Sequence, residues 1–177
     1  NKHLMTNTPI SGVQKKLKRS AFAFDYNNFE QLNKISSENN LAAIIMEVSR
    51  NTKPKKNFLK KIRDLATKKN IVLIFDECTS GFRETYGGLH LKFGVNPDLA
   101  LFGKALGNGY AINAILGKKS IMEFSNKTFM SSTFWTERIG PTAANKTLDI
   151  MEKYKTWEFL TNQGIYIKEQ WKKIADN

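Results

Sequence analysis

Asp76 and Lys104 are the two residues whose types and spacing suit joint chemistry. Asp76 closes the apolar run Ile71 to Phe75, in Ile74-Phe75-Asp76-Glu77-Cys78-Thr79-Ser80-Gly81-Phe82-Arg83. Lys104 follows the apolar segment Leu99 to Phe102, in Phe102-Gly103-Lys104-Ala105-Leu106-Gly107-Asn108-Gly109. A lysine amine attacks a carbonyl to form an imine, and burial beside an extended ring keeps that amine neutral enough to attack. Once displaced, the same amine can carry a proton to and from a substrate carbon. A carboxylate paired with a ring nitrogen holds it protonated, so that the ring draws electrons from a carbanion. The two side chains together suit chemistry at the carbon of an amine.

The elements must bring them to one place. Ile71 to Phe75 is unbroken, apolar and β-branched, which predicts a strand covered on both faces in a parallel sheet. Ligands of such sheets sit beyond the carboxyl ends of the strands, where Asp76 and Glu77 fall and where Gly103-Lys104 follows the next strand. The wider pattern predicts helices over Phe29 to Asn39 and Asn57 to Lys69, with strands over Leu41 to Met46, Asp98 to Phe102 and Ala111 to Leu116. A short helix is predicted over Lys118 to Phe124, and a long helical region from Pro141 through Lys155 to Ile174, broken near Gly164. The alternation is that of βαβ units and an α/β layer.

Taken singly, Asp76 and Glu77 read as caps of a turn, and Lys104 as one of 28 Lys and Arg residues. The joint pattern is more specific. It resembles the cofactor site of class III pyridoxal-phosphate-dependent aminotransferases, nearest to their glutamate-1-semialdehyde 2,1-aminomutase-like branch. The resemblance extends to Ala42-Ala43-Ile44-Ile45-Met46-Glu47, Val95-Asn96-Pro97-Asp98 and Ser132-Thr133-Phe134-Trp135-Thr136-Glu137-Arg138-Ile139-Gly140-Pro141. It implies an α/β, fold-type I large domain with a mainly parallel central sheet flanked by helices, and pyridoxal 5'-phosphate held as a Schiff base on Lys104. Asp76 is then the partner of the ring nitrogen, Cys78 lies against a ring face, and Glu47 borders the substrate. Thr133 or Thr136 reaches the cofactor phosphate of a neighbouring subunit, which implies a homodimer acting on a small amino or keto compound. Thr133-Phe134 matches the family's Thr-Phe pair, whereas Thr136 has the usual spacing to Lys104 and Pro141, so both stay open. The family continues after Glu47 with Pro, but this chain has Val48-Ser49-Arg50. Glu47 therefore reads equally as a helix-capping residue.

Other candidates are weaker. Cys78 is the sole cysteine, which excludes an internal disulfide and a multi-cysteine metal framework, fits a reducing compartment, and leaves no metal site expected. His90 reads as an ordinary polar residue of the Gly87 to Gly94 loop. Arg83 reads either as a carboxylate clamp or as the partner of Glu84 or Glu77. Gly107-Asn108-Gly109 alone is a weak phosphate-cradle signal.

The chain has 177 residues, 41% apolar and 11% aromatic, enough for one core. It is short for the family it resembles and reads as an internal piece of a longer protein. Residues 1–155 are expected to form a cofactor-binding large-domain fragment, and residues 156–177 a helical segment leading toward a small domain. The family's upstream phosphate loop and stacking aromatic are not found before Thr6-Asn7-Thr8-Pro9-Ile10-Ser11-Gly12. No apolar run is long enough to cross a bilayer and no leader pattern is seen, so a cytoplasmic enzyme is expected. The formal charge of +12 raises a different class of function, a nucleic-acid-binding module built on Lys15 to Arg19 and Lys53 to Lys61. Without interleaved aromatics or a groove-reading motif these clusters read better as solvated surface, and neither nucleic acid nor membrane is expected as a partner. A non-catalytic scaffold relative is the remaining alternative, against which Asp76 and Lys104 together argue.

Overall fold

The computed structural model describes residues 20–131, 133 and 137–176. By internal contacts the chain falls into two units, residues 1–41 and 42–177. In the first, helix α1 spans Phe29–Glu38 and is started by Asn28, whose side chain accepts the Gln31 N–H at 3.1 Å.

The second unit is built on a four-stranded sheet of β1 (Ala43–Glu47), β2 (Val72–Asp76), β3 (Leu99–Phe102) and β4 (Ala114–Gly117), in the order β1-β2-β3-β4. The first three run parallel and β4 pairs antiparallel with β3. Helix α2 (Phe58–Lys68) makes the crossover from β1 to β2 and packs against β2. Its buried residues, Phe58, Leu59, Ile62, Leu65 and Ala66, recur at the spacing of one helix face. The strands bury an inward set of their own: Ile44 and Met46, Leu73 and Phe75, Ala100 and Phe102. Lys60 and Lys61 stay exposed between the buried residues of α2, Lys60 pairing with Asp64 one turn on, whereas Arg63 is half-buried and pairs with Asp98.

The alternate residues of the strands differ from expectation. Val72, Ile74 and Asp76 are half-buried and Ile45 is 58% exposed, so among the described residues β2 is covered fully on one face only. An unbroken apolar run does not by itself state how many faces are covered, because strand side chains alternate whatever their type.

Beyond β4 lie α3 (Lys119–Met122), a 3-10 turn at Glu123–Lys127, α4 (Ile139–Tyr154) and α5 (Thr156–Ala175). The break in the long helical region falls at Lys155, which takes the left-handed conformation at φ 46°, and not at Gly164, which continues inside α5. Helix α4 bears on the site through Ala144, which is buried in one cluster with Ala100, Phe102 and Leu106, flanked by Phe82, Ile112, Ala114 and Leu148.

Candidate active site

Pairing registers assemble the site at the carboxyl edge of the sheet. Glu47 of β1 stands beside Asp76 of β2, and Asp76 beside Leu101 of β3. All three belong to the half-exposed face, since Met46, Phe75 and Ala100 occupy the buried one. Asp76 is oriented by its own turn: the Cys78 N–H donates to its Oδ1 at 3.0 Å.

The chain past Asp76 then lies flat against the end of β3. Gly81 N–H donates to Glu77 O at 2.7 Å. A Cβ on Gly81 would fall 2.7 Å from the Phe102 ring, so only glycine admits this approach. The turn brings Thr79 to Lys104, whose Nζ donates to Thr79 Oγ1 at 2.6 Å.

Lys104 is itself in the left-handed region, at φ 45°. That conformation costs a non-glycine residue about 1–2 kcal/mol and persists where the surroundings over-determine it. Leu106 N–H donates to Gly103 O at 3.0 Å and Asn108 N–H to Lys104 O at 2.9 Å, and Leu106 is buried among β3 and α4 residues. The backbone is thus fixed from both sides while the side chain stands exposed.

Cys78 is half-buried, and its Sγ would be 3.5 Å from a Cβ on Gly103, which sets the thiol beside the lysine turn. Burial pushes its thiol up, the Asp76 hydrogen bond and charge add to this, and Lys104 opposes it more weakly. The residue is a small, soft, protonated wall rather than a thiolate nucleophile.

Among the described residues Glu47 caps no helix. Its Oε1 accepts from Arg50 Nη1 at 3.3 Å in the loop after β1, where Val48 is fully buried. Thr133 is an exposed turn residue, and Thr136 lies outside the described residues.

Two expectations need correction. Glu77, read from sequence as a polar group at the ligand edge, is turned inward and fully buried. His90, read as an ordinary loop residue, is buried in a 3-10 helix, Leu89–Phe93, and its backbone N–H and Nδ1 meet Glu77 Oε1 at 3.0 and 2.8 Å. Ser80 Oγ donates to Glu77 Oε2. Burial opposes ionisation of Glu77, but the bonds from His90, Ser80 and the Leu89 backbone outweigh it and hold the carboxyl below its ordinary range. Arg83 takes neither of its expected partners: its Nε donates to Thr79 O at 3.1 Å, while Glu84 pairs with Lys92. Thr79 is the residue that sequence reasoning missed, although it lies three positions after Asp76.

A groove of about 800 Å³ between α4, α5 and the 107–110 turn has neither Asp76 nor Lys104 in its wall. Volume is a poorer guide here than donor chemistry. An oriented carboxylate, a fixed amine and a thiol wall, gathered at the carboxyl edge of a parallel sheet, fit a flat cofactor that carries both a carbonyl and a ring nitrogen.

The comparisons with known proteins agree. Residues 3–177 match the sequence model of the family described as Aminotransferase class-III, and the chain belongs to that family. Membership makes pyridoxal 5'-phosphate the cofactor, as the sequence reading expects. The 3-aminobutyryl-CoA aminotransferase of Cloacimonas acidaminovorans (strain Evry) is 36% identical over 177 residues, covering 93% of this chain and 42% of that protein. The glutamate-1-semialdehyde 2,1-aminomutase of Nitrosopumilus maritimus (strain SCM1) is 38% identical over 145 residues, 77% of this chain and 34% of that one. An S-selective transaminase from Arthrobacter sp., solved with alanine bound, superposes with a TM-score of 0.71 at 25% identity, over 84% of this chain and 34% of its own. The chain therefore spans between 34% and 42% of the length of these relatives.

Proposed function

We propose that this protein takes part in pyridoxal-phosphate-dependent amino-group transfer on a small amino or keto compound. Lys104 would hold the cofactor covalently and Asp76 would pair with its ring nitrogen. The observation that carries the reading is the fixed left-handed turn at Lys104, whose amine reaches the turn that orients Asp76. When bound, pyridoxal phosphate supplies an electron sink for the bond broken at the substrate carbon.

The chain's residues do the rest. Lys104 would hold the cofactor until an incoming amine takes its place, and its freed amine would then carry a proton between the substrate carbon and the cofactor. Asp76 supplies a fixed negative charge at the ring nitrogen, and Cys78 offers a soft surface to one ring face. Glu47, level with Asp76 in the next strand, would border the substrate. Thr133 or Thr136 of a partner protomer would bind the phosphate, so a homodimer is the working assembly. The sole cysteine suits a cytoplasmic setting. Intermolecular transamination and the mutase reaction share these steps, and relatives of both kinds support the common part at 36% and 38% identity.

The test is a visible spectrum with added pyridoxal phosphate, followed by borohydride reduction and peptide mapping. A reduced adduct on Lys104 is expected. An adduct on another lysine, or none on folded protein, would overturn the assignment.

A further inference from the structure

The bond from Lys104 Nζ to Thr79 Oγ1 joins residues 25 positions apart at 2.6 Å, and among the described residues Thr79 is the acceptor of that amine. Neither end has arrived there by a floppy segment. Thr79 follows the Asp76–Cys78 turn, its carbonyl is held by Arg83 Nε, and the preceding residue but one, Glu77, is rooted by His90 and Ser80. Lys104 leaves a backbone fixed in the left-handed region. The only loose part of the connection is the lysine stem, whose rotors a fixed acceptor restrains.

We propose that Thr79 is the positioning residue for Lys104, its hydroxyl holding Nζ at the Asp76 turn whenever that amine is not bonded to carbon. This rests on the reading of Lys104 as the cofactor-holding amine. A hydroxyl suits the task better than a carboxylate. A carboxylate partner favours the charged form of an amine, whereas a hydroxyl brings no net charge and either accepts from the amine or donates to it. The amine is then oriented by a partner without net charge, and the path of the proton it carries stays short.

The test compares wild type with Thr79→Val, which keeps the shape of the side chain, and Thr79→Ser, which keeps the hydroxyl. Position 79 is half-exposed, so Val is tolerated; Thr79→Ala serves as a second deletion of the hydroxyl should Val not fold. Each protein, without added cofactor, is acylated with trace acetic anhydride at neutral pH, and the rate at Lys104 is read by peptide mass spectrometry against Lys119, whose side chain is 90% exposed. Removal of the hydroxyl is expected to speed acylation of Lys104 about fivefold, the factor set by one ordinary hydrogen bond, with Lys119 unchanged and Ser restoring the wild-type rate. Equal rates at Lys104 in wild type and Val would overturn the proposal, and so would a Ser variant that behaves like Val. Borohydride trapping of pyridoxal phosphate on the same variants separates the two readings: an adduct on Lys104 upholds its role whatever Thr79 does.

Discussion

Asp76 ends β2 on the half-exposed face with the Cys78 N–H on its Oδ1, whereas Glu77, one residue on, is fully buried and takes up the His90 N–H, His90 Nδ1 and the Ser80 hydroxyl. Asp98, at the other end of the neighbouring strand, resembles Glu77. Its Oδ2 accepts from Arg63 Nη1 and Leu73 N–H, both at 2.8 Å, and its Oδ1 is 2.6 Å from Lys118 Nζ. Two of these carboxylates are saturated with protein donors and hold loops to the sheet. The third is oriented at an open edge, where a ligand can reach it. Donor saturation, not position after a strand, separates the two structural acids from the one proposed to meet the cofactor.

The largest effect expected on this division is from Lys104→Ala. It should abolish the borohydride-trapped adduct while shifting the melting temperature by no more than about 2 °C, because the side chain is exposed and packs little. A melting shift several times larger would move Lys104 from the functional to the structural group. Asp76→Asn comes next. It keeps an acceptor for the Cys78 N–H, so the adduct should persist, but turnover in a coupled amino-transfer assay should fall about a thousandfold through loss of the fixed charge. Turnover within tenfold of wild type would remove Asp76 from its assigned role.

The places of Asp76 and Lys104 were legible because each follows an apolar strand and is followed by a glycine, Gly81 or Gly107, at which an added Cβ would meet backbone. Element types were legible from periodicity, and their ends shifted by no more than three residues. Strand alternation alone placed both Asp76 and Glu77 at the ligand edge, and only the family resemblance singled out Asp76, since alternation beyond the last ladder residue depends on where the turn begins. His90 and Thr79 were not legible as partners, because their bonds span 13 and 25 residues and leave no local pattern. The break at Lys155 escaped notice because lysine, unlike glycine, carries no mark of a left-handed conformation.

Glu77→Gln tests the structural side. Replacing a buried, multiply bonded carboxylate should cost about 2–3 kcal/mol in urea unfolding, with Lys104 still trapped by borohydride in the folded protein. A cost below 1 kcal/mol would mean that the buried bonds do not anchor the loop.

Acid should expose the same group more gently. Glu77 and Asp98 are both held below their ordinary carboxyl ranges: burial opposes this in each, and is outweighed for Glu77 by His90 and Ser80 and for Asp98 by Leu73 N–H, Lys118 and Arg63. A depressed folded-state value contributes stability that is present in full above the unfolded carboxyl value and is lost as pH falls through the folded one. Urea midpoints should therefore hold down to about pH 5 and decline below it. Glu77→Gln should flatten that decline; an unchanged slope would assign the acid sensitivity elsewhere.

Two glycines near the amine provide the smallest and sharpest comparison. A Cβ on Gly103 would fall 2.4 Å from Asn113 Oδ1, the far end of a side chain that can rotate, and 3.5 Å from Cys78 Sγ, an ordinary contact. With φ at −169° the backbone itself accepts any residue. Gly103→Ala should therefore cost only about 1 kcal/mol, paired with a small change in the rate at which Lys104 is acylated. On Gly107 the added Cβ would fall 2.2 Å from the Tyr110 carbonyl oxygen, and backbone cannot swing aside. Gly107→Ala should cost about 2–3 kcal/mol, although position 107 is farther along the chain from Lys104. Equal costs would show that Asn113 is as immobile as backbone, and would place its amide among the groups that fix the lysine turn.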